Sequence, residues 1–160
     1  IGKGELLRDG TEVAIVAIGV PVAHAVTAAK RLEEEGISTA VVNARFVKPL
    51  DQDLIVEVAK RVRYVVTVEE GSKMGGFGSA VLEALSDAGV MDVTTKVLGL
   101  PDRYIEQGPQ DFLRERYGLT AEGIYQSVKE LIGKTPASSR ERFALATSSD
   151  HLPQGDEQGS

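Results

Sequence analysis

Apolar runs rich in β-branched residues recur along this chain, and each is followed by a stretch with helical periodicity. This alternation is typical of βαβ units, in which crossover helices join parallel strands. The runs are nearly continuous in apolar character, which predicts strands covered by helices on both faces of the sheet. The predicted strands are residues 13–18, 39–46, 64–68 and 95–100.

A shorter apolar run at residues 4–7 precedes Asp9 and Gly10, a pair typical of tight turns. A tight turn leading into the next strand predicts that this run is an antiparallel edge strand. The predicted fold class is therefore α/β: a three-layer α/β/α sandwich around a five-stranded, mostly parallel sheet with one antiparallel edge strand.

Helices are predicted from apolar residues at helical spacing and from residues that favour helix ends. Asp51 is expected to cap the second helix, with Leu50 packing on Ile55 as a hydrophobic staple. Gly36 and Gly89 are expected to end the first and third. The five predicted helices lie near residues 22–36, from 49–51 onward, after 75–78, 109–117 and 121–132.

The composition changes at Thr135, where Ser, Pro, Gly and acidic residues begin to dominate. Segments of this kind lack the apolar surface that drives folding. The sequence therefore predicts one domain over residues 1–134 and a mostly disordered tail over residues 135–160.

The charge and the residue inventory exclude several classes of function. The chain has 160 residues with 18 Lys plus Arg against 24 Asp plus Glu, a formal charge of −6 and a pI near 5.0. It therefore has no electrostatic footprint for nucleic acid or an anionic membrane. No cysteine is present and His24 and His151 are far apart, which excludes disulfides, thiolate metal sites and a histidine-rich metal site.

The chain ends and apolar runs give expectations about location. No apolar run approaches the roughly 20 residues needed to cross a bilayer, and the N-terminus lacks the apolar region of a signal peptide. We expect a cytoplasmic protein. Because the chain begins with Ile1 instead of Met, we also expect it to be a piece of a longer protein.

Functional loops of an open parallel sheet gather beyond the carboxyl ends of its strands. Here the glycine-rich residues 75–79 invite a phosphate-binding interpretation. The spacing is wrong, because Val81 stands where a dinucleotide motif needs its third glycine. We expect close backbone packing or an unusual turn instead. Residues 133–135 also fail as a phosphate loop, because Val128 holds the leading glycine position.

The charged residues of this edge are predicted to be structural. Strand alternation sends Glu69 and Glu70 to opposite faces, so a cap or an interface salt bridge is expected, not a paired acid and base. Asp102 and Arg103 are expected to pair locally or to reach an adjoining domain. His24 lies nearly opposite an apolar helical stripe and is interpreted as a solvated surface histidine. No catalytic, cofactor-binding or metal-binding residue is predicted.

Five short motifs follow one another along the chain. They are residues 1–4 (IGKG), 43–51 (NARFVKPLD), 68–71 (VEEG), 75–79 (GGFGS) and 99–108 (GLPDRYIEQG). Each motif is weak alone, but together they resemble the C-terminal domain of the 1-deoxy-D-xylulose-5-phosphate synthases, over about residues 1–132. The wider transketolase and 2-oxo acid dehydrogenase β-subunit families share the V-E-E-G and glycine-loop region.

This resemblance implies a transferase that uses thiamine diphosphate and Mg²⁺ to join the two-carbon unit of pyruvate to D-glyceraldehyde 3-phosphate, with release of CO₂. It implies a product used in isoprenoid, thiamine and pyridoxal biosynthesis. It also implies a three-layer domain with a five-stranded sheet whose first strand is antiparallel. In that family the cofactor and metal ligands lie in two preceding domains and have no matching position here. The resemblance thus implies a domain that packs against those upstream domains in a homodimer and binds no cofactor itself.

Two alternatives remain open on the sequence. The chain could be a free-standing module that binds a protein or an anion at its glycine-rich edge. It could also be the C-terminal domain of a 2-oxo acid dehydrogenase β subunit.

Overall fold

A computed structural model describes residues 1–72, 76–101 and 109–134. The strands are β1 (Glu5–Arg8), β2 (Val13–Ala17), β3 (Thr39–Asn43), β4 (Tyr64–Ser72) and β5 (Thr94–Leu100). The helices are α1 (Pro21–Glu34), α2 (Gln52–Ala59), α3 (Phe77–Asp87), α4 (Gln110–Arg116) and α5 (Ala121–Lys134).

The strands form one five-stranded sheet in the order β1-β3-β2-β4-β5. β2 runs parallel to β3 and β4, β5 runs parallel to β4, and β1 runs antiparallel to β3. Helices cover both faces of this sheet. The predicted fold class is therefore confirmed.

The central strand β2 is buried along its whole length. Val13 and Ile15 point into an apolar cluster shared with α1 and α5, whereas Ala14 and Val16 point into a second cluster shared with α2 and α3. Both faces of the strand thus need apolar residues. This is why the sequence shows a continuous apolar run instead of alternation.

The edge strand β1 has the predicted direction but not the neighbour that a tight turn would give it. It pairs with β3, because β2 is flanked on both sides by β3 and β4. Gly10 lies where the chain passes close to the start of β3: a Cβ there would lie 2.3 Å from the nitrogen of Ala40 and 2.7 Å from that of Thr39. Gly10 therefore permits a close crossing of two backbone segments, and the hairpin interpretation is wrong.

The helix ends agree with the predicted signals. Asp51 accepts a hydrogen bond from the Leu54 nitrogen at 3.2 Å and caps α2, while Leu50 and Ile55 pack in the same apolar cluster. Gly36 and Gly89 follow α1 and α3 with φ of 81° and 73°, which favour glycine.

Two strand boundaries differ from the prediction. β3 ends at Asn43, before the predicted residue 46, and β4 continues to Ser72, beyond the predicted residue 68. Glu69 and Glu70 therefore lie within a strand.

Several predictions fall outside the described residues: the tail over 135–160, residues 73–75 of the glycine-rich loop, and the pairing of Asp102 and Arg103. In the part of the chain that is described, no helix is long and apolar enough to cross a membrane.

Candidate functional site

The end of β4 carries two neighbouring carboxylates that serve opposite faces of the sheet. Glu69 faces α3 and Glu70 faces α4, as alternation along a strand requires. These two residues connect β4 to a helix on each face, at the edge of the sheet where functional loops were expected.

Glu69 is a buried carboxylate that caps α3. Its Oε2 accepts a hydrogen bond from the Phe77 nitrogen at 2.8 Å, and its Oε1 accepts one from the Gly78 nitrogen at 3.0 Å. The residue at the N-cap position itself is Gly76, which offers no side chain. Glu69 thus does from the preceding strand what an N-cap side chain usually does locally, and the predicted cap is confirmed.

Gly78 allows α3 to lie directly on the sheet. A Cβ at this position would stand 2.5 Å from Cγ1 of Val97 in β5 and 2.9 Å from Oγ1 of Thr67 in β4. Separations this short are not tolerated by real side chains without movement of their neighbours. The close backbone packing predicted for the glycine-rich segment is therefore confirmed at Gly78.

Glu70 joins β4 to α4 on the other face. It accepts a hydrogen bond from Nε of Arg114, and Nη1 of Arg114 also donates to Oδ1 of Asp111 at 2.8 Å. The hydrogen bond with Glu70 raises the pKa of the Arg114 guanidinium. Glu70 therefore forms a salt bridge, but the bridge connects two elements of this domain, whereas the prediction placed it at an interface. Arg114 lies 44 residues from Glu70, so no local signal could have identified it as the partner.

A cleft of about 510 Å³ opens between α1, α4 and the start of α5. Its lining includes charged side chains of both signs. His24 is half-buried on the lining of this cleft, and its interpretation as a solvated surface histidine stays a prediction. The lining side chains are those of His24, Asp111, Arg114, Glu115, Thr120 and Glu122.

A polar network beside this cleft joins α1 to α5. The Arg31 guanidinium lies 3.7 Å from the centroid of the Tyr125 ring and also pairs with Glu122. Glu35 accepts hydrogen bonds from the Tyr125 hydroxyl and from Nζ of Lys129, the latter at 3.0 Å. The hydrogen bond from Tyr125, then that from Lys129, lowers the pKa of Glu35. Sequence analysis missed this network because its members are about 90 residues apart.

The described residues contain no cluster of ligands for the Mg²⁺ that the sequence resemblance implies. Mg²⁺ takes oxygen ligands arranged around one point. Across residues 1–72, 76–101 and 109–134, no three histidine, aspartate or glutamate side chains come together in that way.

Comparison with known proteins identifies the domain. Residues 2–124 match the family described as "Transketolase, C-terminal domain". The chain belongs to the transketolase C-terminal domain family. A solved split-gene transketolase, described as an inactive beta4 tetramer, aligns with a TM-score of 0.73 and 42% identity over 82% of this chain and 43% of that one. The R525L mutant transketolase from Pichia stipitis, at 22% identity and a TM-score of 0.60, shares the fold over 82% of this chain and 18% of its own.

Two curated relatives of this transketolase C-terminal domain are 1-deoxy-D-xylulose-5-phosphate synthases. The chain is 53% identical over 124 residues to 1-deoxy-D-xylulose-5-phosphate synthase 1 of Geobacter sulfurreducens, covering 78% of this chain and 20% of that protein. It is 54% identical over 132 residues to the synthase of Syntrophotalea carbinolica, covering 82% of this chain and 21% of that protein. The chain thus spans about a fifth of the length of these relatives.

Proposed function

We propose that this chain is the C-terminal domain of a 1-deoxy-D-xylulose-5-phosphate synthase. The observation that carries the proposal is the identity of 53% and 54% to two synthases over most of the chain. The proposed reaction is the one that the sequence resemblance implies: pyruvate and D-glyceraldehyde 3-phosphate give 1-deoxy-D-xylulose 5-phosphate and CO₂, in a cytoplasmic pathway to isoprenoids and thiamine.

Within that enzyme, this domain supports the chemistry by packing and contributes no catalytic group. Thiamine diphosphate and Mg²⁺ are held by upstream domains, and the whole enzyme is a homodimer. The use of the edge residues supports this role. Glu69 is hydrogen-bonded to α3 and Glu70 to α4, so both carboxylates serve the fold of the domain.

The two alternatives receive less support. The curated relatives described above are synthases, not 2-oxo acid dehydrogenase β subunits. A free-standing anion-binding module would need free N–H groups at the glycine-rich corner, where those of Phe77 and Gly78 already donate to Glu69.

A domain exchange tests the proposal. Residues 1–134 would replace the corresponding domain of the Geobacter sulfurreducens synthase, with the same enzyme lacking that domain as the control. We expect the chimera to form 1-deoxy-D-xylulose 5-phosphate and both the deleted enzyme and the separate 160-residue chain to form none. A folded chimera that binds thiamine diphosphate yet is inactive would contradict the proposal, as would turnover by the separate chain.

A further inference from the structure

The segment that joins β3 to α2 contains a residue in an unusual backbone conformation. Arg45 has a φ of 61°, in the left-handed region that favours glycine. No other residue of the described ranges, glycines apart, has a positive φ. Such a conformation costs free energy, and it persists where the surrounding structure holds it, often at functional sites. Arg45 is therefore a residue whose side chain needs a reason.

Hydrogen bonds inside the domain hold this conformation through the backbone. The Arg45 nitrogen donates to Oδ1 of Asn43 at 3.1 Å, and the Phe46 nitrogen donates to the Ala44 oxygen at 2.7 Å. The Arg45 side chain is exposed and forms no ion pair with any residue that the structure describes. Because glycine could supply the same backbone, the fold alone does not account for an arginine at this position.

The side chains beside Arg45 make this surface both basic and apolar. The Arg45 guanidinium carbon lies 5.5 Å from the centroid of the Phe46 ring. Phe46 is half-buried but belongs to neither apolar cluster of the core, whereas Val47 packs against one of them. Lys48 is exposed. Arginine and aromatic side chains often anchor protein interfaces. We call the side chains of Arg45, Phe46 and Lys48 the Arg45 surface.

The first residues of the chain pack against this same segment. A Cβ on Gly2 would lie 2.7 Å from Cγ of Pro49, and a Cβ on Gly4 would lie 3.1 Å from the Asn43 oxygen. The chain spans about a fifth of the length of its synthase relatives. In a C-terminal domain of such an enzyme, the preceding domain is attached at this end, beside the Arg45 surface. A short connection of this kind gives two surfaces a high effective concentration.

We propose that the Arg45 surface is the docking surface for the domain that directly precedes this one in the same chain. The inference rests on the proposed function, because it requires that domain to exist. The partner surface offers a carboxylate to the Arg45 guanidinium and an apolar recess to the Phe46 ring. Docking then uses a guanidinium that the domain itself leaves unpaired, which accounts for an arginine where the backbone favours glycine.

Hydrogen exchange tests the proposal by comparing the 160-residue chain with the chimeric Geobacter sulfurreducens synthase that carries residues 1–134. We expect the amides of residues 44–48 to exchange roughly tenfold more slowly in the chimera, because docking covers them. Residues 60–63, at the opposite edge of the sheet, should exchange equally in both proteins. Product formation by the chimera is measured in parallel. Equal exchange of residues 44–48 in an active chimera would overturn the docking surface and leave the proposed function standing.

An Arg45→Gly variant separates docking from local structure. Glycine removes the guanidinium and suits a φ of 61°, so the unfolding temperature of the separate chain should stay the same or rise. In the chimera, the slow exchange of residues 44–48 should be lost. Arg61→Ala is the matched control: it removes an exposed arginine at the opposite edge of the sheet and should leave that slow exchange unchanged.

Two results with these variants would contradict the proposal. Slow exchange that survives in the Arg45→Gly chimera would show that Arg45 does not hold the interface. A lower unfolding temperature of the separate Arg45→Gly chain would show that the side chain serves the fold of its own domain. In the wild-type chain alone, protection of residues 44–48 that grows with protein concentration would identify a second copy as the occupant and would also overturn the proposal.

Discussion

Buried carboxylates in this domain are matched to backbone N–H groups. Besides Glu69, Asp51 is 9% exposed and uses both of its oxygens. Its Oδ1 accepts from the Leu54 nitrogen at 3.2 Å and its Oδ2 accepts from the Gly4 nitrogen at 2.8 Å. One side chain thus caps α2 and holds the segment that leads into β1.

Replacing Asp51 should therefore cost more than an ordinary helix cap. We expect Asp51→Ala to lower the free energy of unfolding by about 2–4 kcal/mol, because a cap contributes about 1 kcal/mol and a hydrogen bond to a charged group about 1.5–3 kcal/mol. Asp51→Asn keeps an acceptor for the Leu54 nitrogen and should lose about half as much. Urea unfolding measures both. Equal losses for the two variants would show that the retained acceptor for the Leu54 nitrogen contributes nothing, and no loss in Asp51→Asn would show that the contact with Gly4 contributes nothing.

A methyl group at Gly78 should strain the contact between α3 and the sheet. We expect Gly78→Ala to lower the free energy of unfolding by about 1–3 kcal/mol, because its Cβ would meet Val97 at 2.5 Å. Gly133→Ala is the matched control: nothing lies within 4 Å of its Cβ position in α5, so it should be neutral or stabilising by up to about 1 kcal/mol.

A double variant locates that strain. If the clash with Val97 causes the loss at Gly78, then Gly78→Ala combined with Val97→Ala should lose less stability than the sum of the two single changes. Strict additivity in urea unfolding would place the cause elsewhere.

Charged groups lie at the rim of the apolar interface between α1 and α5. Ile124 and Val128 are fully buried against the sheet, whereas Glu35 and Lys129 remain partly exposed beside them. Exposed ion pairs contribute little to stability. Tyr125 is different, because its buried ring packs under Arg31 while its hydroxyl reaches Glu35.

This network should make the stability of the helix pair depend on pH. Hydrogen bonds from Tyr125 and Lys129 lower the pKa of Glu35, and those from Gln126 and Arg31 lower the pKa of Glu122. Since both carboxylates bind protons less readily when folded, their contribution is present above the ordinary glutamate range and is lost as the pH falls through the lower folded values.

We expect Tyr125→Phe to weaken this acid dependence. The variant keeps the ring and removes the hydroxyl that lowers the pKa of Glu35. The difference in unfolding free energy between wild type and variant should therefore shrink as the pH falls below the ordinary glutamate range and through the lowered pKa of Glu35. Urea unfolding across this range measures it. A difference that is independent of pH would exclude Glu35 as the responsible partner.

At the scale of the elements, the sequence was a good guide to which helices and strands form. It was a poorer guide to which of them contact one another. Asp51 lies next to its helix, so its cap could be read locally, whereas Glu69 reaches α3 across eight residues and was predicted as a cap or salt bridge without a partner. The pair Asp9 and Gly10 resembled a hairpin turn, but strand order depends on contacts between distant segments. Gly10 is required by its approach to β3, which no local pattern encodes.

At the scale of the whole molecule, the charged side chains at the end of β4 are engaged in contacts that hold the fold together. Glu69, Glu70 and Arg114 fix α3 and α4 to the strand that lies between them. Because these side chains serve the fold, side-chain chemistry alone predicted no active site. The series of motifs, in contrast, was sufficient to predict the family. The half-buried position of His24 was not predictable, because the cleft is formed only when α4 and α5 fold back onto α1.

The shortest chain that should fold is one that still covers both faces of the sheet with helices. The apolar face of α5, with Ile124, Val128 and Ile132, covers the apolar cluster that contains Val13 and Ile15. This helix ends at Lys134. The polar composition of residues 135–160 offers little further apolar surface. We therefore expect a chain ending at Lys134 to unfold at the same temperature as the 160-residue chain.

A chain ending at Gly118 is the contrasting variant. It lacks α5, which would leave much of one face of the sheet in water, and we expect it to show no cooperative unfolding transition. Thermal unfolding followed by circular dichroism distinguishes the two. A markedly lower midpoint for the Lys134 variant would show that residues 135–160 stabilise the domain, and it would move the domain boundary beyond the end of α5.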